Sequence, residues 1–380
     1  MRKTRKTSLL LLSMAILAAC GAEDPPTDRS AGRITSALTS GIPLAAAPGH
    51  FETSAIAASG DEYLVAYIDR GSSTLPGPLR ATRVTGDGAV LDPAGIPLPT
   101  TAASNIAVAA SPSLFLVVWA NYHGGLYAAR VTRDGTVLDP SAIAIVGTIT
   151  FDFPSTPQVS WDGHQFMVTY YLANQVRLTR IRADGTNLDG AGIVLATGDS
   201  PGPLASDRGR TLVTFFNNGY RVLRSDLTVL ASHPYPVAGE YPLNALFDGH
   251  AFAVLLADAA PPSHVDLVRL GPGYAPTPSV TVASGAPVFN WIFVPGRCEL
   301  APRGHGKPPL WRQGVHLAGW QTDFTADTWR AAWLLPSGAP RASSALPAET
   351  YAAGASNGRT FLLSYWADFH LQGVLLRPLE

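Results

Sequence analysis

The sequence predicts an all-β chain of about seven small antiparallel sheets closed into a ring. Three observations carry that prediction. The stretch from Ser111 to Ile145, SPSLFLVVWANYHGGLYAARVTRDGTVLDPSAIAI, recurs along the chain in progressively weaker copies. The 36 glycines and 32 prolines punctuate the 380 residues too often for long helices, and no segment sustains a 3.6-residue apolar period. Finally, Gly41-Ile42-Pro43-Leu44 repeats, letter for letter, Gly95-Ile96-Pro97-Leu98.

Within the repeat, Phe115, Val117 and Trp119 fall two apart, the spacing of a half-buried strand. Asn121 to Gly125 break the run with turn formers, and Leu126 to Thr132 form the next strand. Asp134-Gly135 is a tight turn, because glycine tolerates the positive φ that such hairpins require. Val137 to Pro140 and Ala142 to Ile145 supply a last short strand, and Ile106 to Ala110 an upstream one, which gives four strands per unit. Counterparts of the Phe115 strand begin at Tyr63, Phe166, Leu212, Phe252, Val315 and Phe361. The hairpin recurs clearly from Ala81 and Leu178, and as weaker echoes at Arg224 with Asp226, Arg269 with Gly271 and Trp333 with Gly338. Anchors roughly 40 to 65 residues apart are the signature of stacked supersecondary units, none of which buries its apolar surface alone.

The last copy stops after its third strand, and the N-terminal Gly41 to Leu44 supplies the missing fourth. Such closure ties the two ends together and removes exposed sheet edges. On these features the chain resembles a single β-propeller of about seven four-stranded blades, closed by an N-terminal strand completing the last blade. It is also similar to the repeat lipoproteins of Gram-negative bacteria, whose units read DGxxFLVxW followed by RVxxDGxVLDPxGIxL. That resemblance covers nearly the whole mature chain, its strong motifs lie in the first three copies, and it implies little about activity.

Residues 1–19 have the form of a lipoprotein signal peptide. Arg2, Lys3, Arg5 and Lys6 are a cationic leader, Leu9 to Leu17 an apolar run too short for a membrane span, and Leu17-Ala18-Ala19-Cys20 a lipobox. Cys20 is the expected acylation site. Each buried methylene contributes about 0.8 kcal/mol, so palmitate-type chains hold a protein on a membrane almost permanently. Residues 20–33 then form a polar tether and residues 34–380 the repeat domain. The expected address is the cell envelope, at the outer membrane, facing either the periplasm or the cell surface.

Formal charge is −1, and loss of the four leader cations leaves an acidic domain, which argues against a nucleic-acid surface. With Cys20 acylated, Cys298 has no partner for an intrachain disulfide, and its spacing to His305 matches no zinc pattern. Gly198-Asp199-Ser200-Pro201-Gly202 satisfies GxSxG, but the prolines place it in a turn rather than at a strand-to-helix elbow. Asp162-Gly163 and Asp248-Gly249 read as hairpin turns, and no metalloprotease, phosphate-loop, calcium-loop or dinucleotide motif is present. The expectation is therefore no catalytic residue, no metal and no cofactor. Arg83, Arg130 and Arg180 repeat in register and read as a surface ladder with a repeated structural job rather than a ring of ligand contacts.

Two surfaces are candidates for ligands. Because successive strands run antiparallel, second-to-third connections and inter-blade connections emerge on one face. That rim collects Asp69, Asn121, His123, Asn218, Asp258, Asp323 and Asp368, although Asp and Asn also commonly end strands for conformational reasons. The sixth unit carries an insertion at about 295–314 with Arg297, Arg303, His305, Lys307, Trp311 and Arg312, a basic, aromatic loop suited to an anionic glycan, a lipid head group or a protein. The favoured reading is a membrane-anchored, non-enzymatic platform for protein or glycan. The alternative is a hydrolase or lyase acting on extracellular polysaccharide, which requires groups such as Asp69, Asp258 or His123 to converge near the ring axis.

Overall fold

The computed structural model describes residues 39–45, 51–70, 77–100, 102–122, 124–147, 155–258 and 264–284. It also describes the strands between 291 and 376, with the backbone alone from 291 to 352. Strand β1 spans Thr39–Pro43. The first sheet follows as β2 (Phe51–Ser59), β3 (Glu62–Asp69), β4 (Leu79–Thr85) and β5 (Ile96–Pro97). The second comprises β6 (Ala103–Ala110), β7 (Leu114–Asn121), β8 (Leu126–Thr132) and β9 (Ile143–Val146). The third holds β10 (Ser155–Trp161), β11 (Gln165–Leu172), β12 (Gln175–Arg182) and β13 (Ile193–Thr197). The fourth holds β14 (Pro201–Asp207), β15 (Arg210–Phe215), β16 (Gly219–Arg224) and β17 (Val229–His233). The fifth is β18 (Glu240–Phe247), β19 (Phe252–Asp258), β20 (His264–Arg269) and β21 (Val280–Ser284).

The sixth sheet opens with β22 (Trp291–Val294). A hairpin of β23 (Glu299–Ala301) and β24 (Leu310–Arg312) interrupts it before β25 (His316–Asp323), β26 (Thr328–Leu334) and β27 (Pro340–Ala345). The expected insertion is thus a two-stranded ribbon in register at Leu300 and Trp311. The last sheet contains β28 (Thr350–Ser356), β29 (Phe361–Ala367) and β30 (His370–Leu376), with β1 as its fourth strand. Among the described residues these make seven four-stranded sheets, each antiparallel throughout.

The first strands of successive sheets lie side by side. Their contacts run from β18 through β14, β10, β6 and β2 to β28 and β22, so the sheets radiate from a common centre. Pairing of β1 with β30 sets Ile42 opposite Gly373 and Pro43 opposite Gln372, and the Leu44 amide donates to the Leu371 carbonyl at 3.1 Å. The same four letters in the first sheet set Ile96 opposite Ala81 and Pro97 opposite Arg80.

A second geometric match supports the equivalence. A Cβ added to Gly88, in the turn of the first sheet, would lie 3.2 Å from Ile42 Cδ1, and one on Gly135, in the turn of the second, 3.2 Å from Ile96 Cδ1. Both glycines have φ near 90°, +95° and +90°, which L side chains rarely adopt. Each turn therefore packs its glycine against the fourth-strand isoleucine of the preceding sheet.

The second strands are not half-buried, as their spacing suggested. Leu114 to Ala120 are all buried. Phe115, Val117 and Trp119 pack with Leu64, Ala66 and Ile68 of the first sheet, whereas Leu116, Val118 and Ala120 pack with Phe166, Val168 and Tyr170 of the third. Period-2 alternation here sorts side chains between two neighbours rather than between core and water. The same sorting recurs in β19, where Phe252, Val254 and Leu256 join the fourth sheet and Ala253, Leu255 and Ala257 line the opposite face.

Val137 to Pro140 do not belong to the fourth strand as expected. Val137 makes one isolated bridge to Val131, and the strand proper is Ile143–Val146. The segment between them turns so that Asp139 reaches back to Arg130. Its carboxylate accepts from the Arg130 amide at 2.8 Å, from Nε at 2.9 Å and from Nη2 at 2.8 Å. Arg83 with Asp92 and Arg180 with Asp189 repeat this arrangement. The remaining Nη1 of each arginine donates to a carbonyl of the next sheet: Arg83 to Arg133, Arg130 to Ala183 and Arg180 to Ser225, at 2.8 to 2.9 Å. The repeated arginine is a tie between neighbouring sheets.

First strands also carry a register shift near their N-terminal ends, for example between Ser155 and Gln158, Pro201 and Leu204, and Pro242 and Asn244. Such bulges sharpen the local twist, which lets radially packed sheets fan apart from the axis.

Candidate functional site

Of the expected rim residues whose side chains are described, Asp69, Asn121 and Asn218 have partners close to their own strand ends. Asp69 lies at the end of β3, ion-paired at 3.5 Å with Arg80 of the same sheet. Asn121 ends β7 and accepts from the Thr100 hydroxyl at 2.9 Å. Asn218 donates to buried Asp199 at 2.6 Å, and Asp199 also accepts from the Ser200 and Asn217 amides, which pins the connection between the third and fourth sheets to the β15–β16 turn. This network is structural, and it places Ser200 ahead of a strand rather than a helix. Asp323 ends β25, Trp311 and Arg312 lie in β24, and their side chains lie outside the described residues. Cys20, His123, Arg297, Arg303, His305, Lys307 and Asp368 lie wholly outside them.

Asp258 is different. It ends β19 opposite Glu240 of β18, and the register that pairs Ala257 with Val265 brings it level with His264 at the start of β20. Glu240, Asp258 and His264 thus form a row across three adjacent strands, and Asp266 lies two residues beyond His264 on the same face. His264 Nδ1 is 3.9 Å from Asp258 Oδ2, and its Nε2 is 4.0 Å from Glu240 Oε1 and 3.9 Å from Asp266 Oδ2. The side chains of Glu240 and Asp266 are 1% and 7% exposed, those of Asp258 and His264 25% and 31%, so two carboxylates form a floor beneath a half-open imidazole.

Burial pushes the Glu240 carboxyl above its usual range. The Val237 amide opposes that push, the Asp266 carboxylate adds to it, His264 opposes it and Asp258 adds to it. Asp266 Oδ1 is buried with no hydrogen-bond partner. Asp69 meets Arg80 within the first sheet, and Asp258 meets His264 within the fifth.

At the junction of the fourth and fifth sheets, Phe216 and Tyr241, the residue after Glu240 in β18, stack with ring centroids 5.3 Å apart and planes 12° apart. Phe216 is 43% exposed, and Val237 close by in sequence is 48% exposed. Sequence reading missed Glu240, His264, Asp266 and this aromatic pair. The available signal was a polar alternation, His264-Val265-Asp266, in a third strand whose other copies carry no acidic residue at that position.

No protein-family model matches the chain. No curated protein matches it either. Solved structures do. The BP39L lectin from Burkholderia pseudomallei aligns with TM-score 0.58 at 17% identity, over 87% of this chain and 99% of that one. The Cps50 (Swd1) β-propeller domain of Myceliophteria thermophila aligns with TM-score 0.54 at 10% identity, over 90% and 100%. A chain of a mitotic checkpoint complex gives 0.54 at 13% identity, over 99% and 100%. The fold is therefore that of a β-propeller with four-stranded antiparallel blades.

Proposed function

We propose that this chain is a lipid-anchored envelope protein, acylated at Cys20, whose seven sheets close as one ring through β1 and present a non-enzymatic binding platform. The ligand best suited to its described rim is a glycan. The observation that carries this reading is Phe216, 43% exposed and stacked on the half-buried Tyr241, which follows Glu240 in β18. Aromatic faces cover the apolar C–H surface of a sugar ring, and adjacent polar groups take its hydroxyls. The lectin among the similar structures lends the reading support of a general kind, through the fold alone.

The test is retention of the full chain on immobilised envelope polysaccharide, with Phe216→Ala and Tyr241→Ala as variants. Retention that falls at least tenfold in both supports the platform. Retention of wild type and variants alike to a protein fraction, with none on polysaccharide, transfers the reading to a protein partner. Anchoring is checked separately by metabolic labelling with a fatty acid, which Cys20→Ser abolishes. The alternative, a polysaccharide hydrolase or lyase, draws on the Asp258, His264 and Glu240 row. It predicts release of new chain ends that Glu240→Gln eliminates.

A further inference from the structure

We propose that Glu240, His264 and Asp266 form a binding site for a divalent transition-metal ion of the Zn2+ or Mn2+ kind, with Asp258 positioning the imidazole. One ligand atom from each of the three lies within 4.8 Å of the others. All three contacts of the His264 ring with carboxylates measure 3.9 to 4.0 Å. That is too long for hydrogen bonds, so the carboxylates surround the imidazole without being satisfied by it. The spacing suits an ion held between the groups: an ion at their centre stands about 2.3 to 2.6 Å from each donor, and closure by a few tenths of an ångström reaches ordinary Zn–N and Zn–O lengths.

Electrostatics point the same way. Three carboxylates face one imidazole, two of them on buried side chains, and Asp266 keeps an oxygen with no hydrogen-bond partner. A buried, unpaired carboxylate is costly, and a cation removes the cost. The repeat supplies an internal control. Arg83 pairs across its sheet with Leu64, and Arg269 holds the same place opposite Ala253. Counting from these pairs, Asp258 occupies the position of Asp69, and Asp266 occupies the position of Arg80. In the first sheet Arg80 neutralises Asp69 at 3.5 Å. In the fifth, an acid, Asp266, stands where the first sheet has that cation.

The donor set selects the ion. An imidazole nitrogen with carboxylate oxygens favours Zn2+, Mn2+ and their neighbours over Mg2+ and Ca2+, which take all-oxygen shells. Asp258 stands on Nδ1, the nitrogen opposite the metal-facing Nε2, as carboxylates behind ligating histidines commonly do. The half-exposed His264 side leaves open positions for water or a ligand oxygen.

The inference does not depend on the glycan reading, because its assay contains no glycan. The full chain, purified in detergent and stripped with a chelator, is titrated with Zn2+, Mn2+, Mg2+ and Ca2+ alone, by calorimetry and by thermal melting. One saturable Zn2+ or Mn2+ per chain that raises the melting temperature is expected, with no comparable response to Mg2+ or Ca2+. His264→Ala and Glu240→Gln should each remove it, and Asp258→Asn should weaken it by about 10- to 100-fold at unchanged stoichiometry. Should His264→Ala fail to fold, the isosteric Glu240→Gln and the visible absorption of Co2+ bound to the wild-type chain carry the test. Absence of saturable binding, binding that survives in Glu240→Gln, or an equal response to Ca2+ overturns the proposal.

Discussion

Arg83, Arg130 and Arg180 show how a single side chain spans levels of organisation. Each guanidinium closes its own hairpin onto an aspartate and donates its last corner to the following sheet. A lysine, with one mobile ammonium, does not reproduce that fork. In the first sheet the pair also sets a pH response. Burial pushes the Asp92 carboxyl upward, but the Arg83 side-chain and backbone hydrogen bonds outweigh it and hold the carboxyl below the usual carboxylate range. A carboxyl lowered in the folded state contributes stability that is complete above its unfolded pKa, about 4, and is lost as pH falls through the folded value. Asp92→Asn is therefore expected to lower the melting temperature at pH 7 and to flatten its decline below about pH 4, as read from melting curves across that range. The repetition of these arginines was legible in the sequence, and a repeated structural job followed from it. The surface ladder read there is instead a largely buried set of ties, with side chains 14 to 21% exposed. Their bond to the next sheet was not legible, because the acceptor is a backbone carbonyl, which carries no residue signature.

At the scale of the strand, sequence period and burial diverge. The Phe115, Val117, Trp119 spacing correctly located β7 and its counterparts, but an apolar residue every second position implies one wet face only when the intervening residues are polar. Leu116, Val118 and Ala120 fill the other face, so the run is continuous. Leu116, which is fully buried, should thus behave as a core residue although it lies off the repeating triplet. Leu116→Ala is expected to cost about 2 to 5 kcal/mol in denaturant unfolding, the same range as truncation of a residue on the triplet itself. A loss below about 1 kcal/mol would mean that this face is not packed against the third sheet. The bulges in the first strands left no comparable trace, because they arise from backbone twist rather than from any residue type. The Glu240, Asp258 and His264 row also escaped notice, since its members are distant in sequence and meet only through strand register.

For the molecule as a whole, the decisive contact is between its two ends. Sequence identity between Gly41 to Leu44 and Gly95 to Leu98 pointed to β1 as the fourth strand of the last sheet, and β1 does pair with β30. The contact is more than a backbone ladder. Leu44 is fully buried and Ile42 4% exposed, in a cluster with Tyr63 and Val65 of the first sheet and Leu362, Leu371 and Leu375 of the last. Ser54 and Ser364 hydrogen-bond at 2.8 Å across the same junction, and the Tyr63 hydroxyl donates to the Thr360 carbonyl at 2.7 Å. Removal of residues up to 45 leaves those side-chain bonds in place but opens the edge of β30 and uncovers the apolar cluster. The truncated chain is accordingly expected to melt at a lower temperature and to self-associate through the exposed edge. A synthetic peptide spanning residues 38–46, added in trans, should restore both properties, because strand addition supplies the same hydrogen bonds and the same two side chains. The peptide with Ile42 and Leu44 both changed to Ala should not, since it keeps the backbone ladder and lacks the apolar anchors. If truncation left melting and association unchanged, β1 would be an ornament on the last sheet, and closure would have to reside entirely in the packing of first strands around the axis.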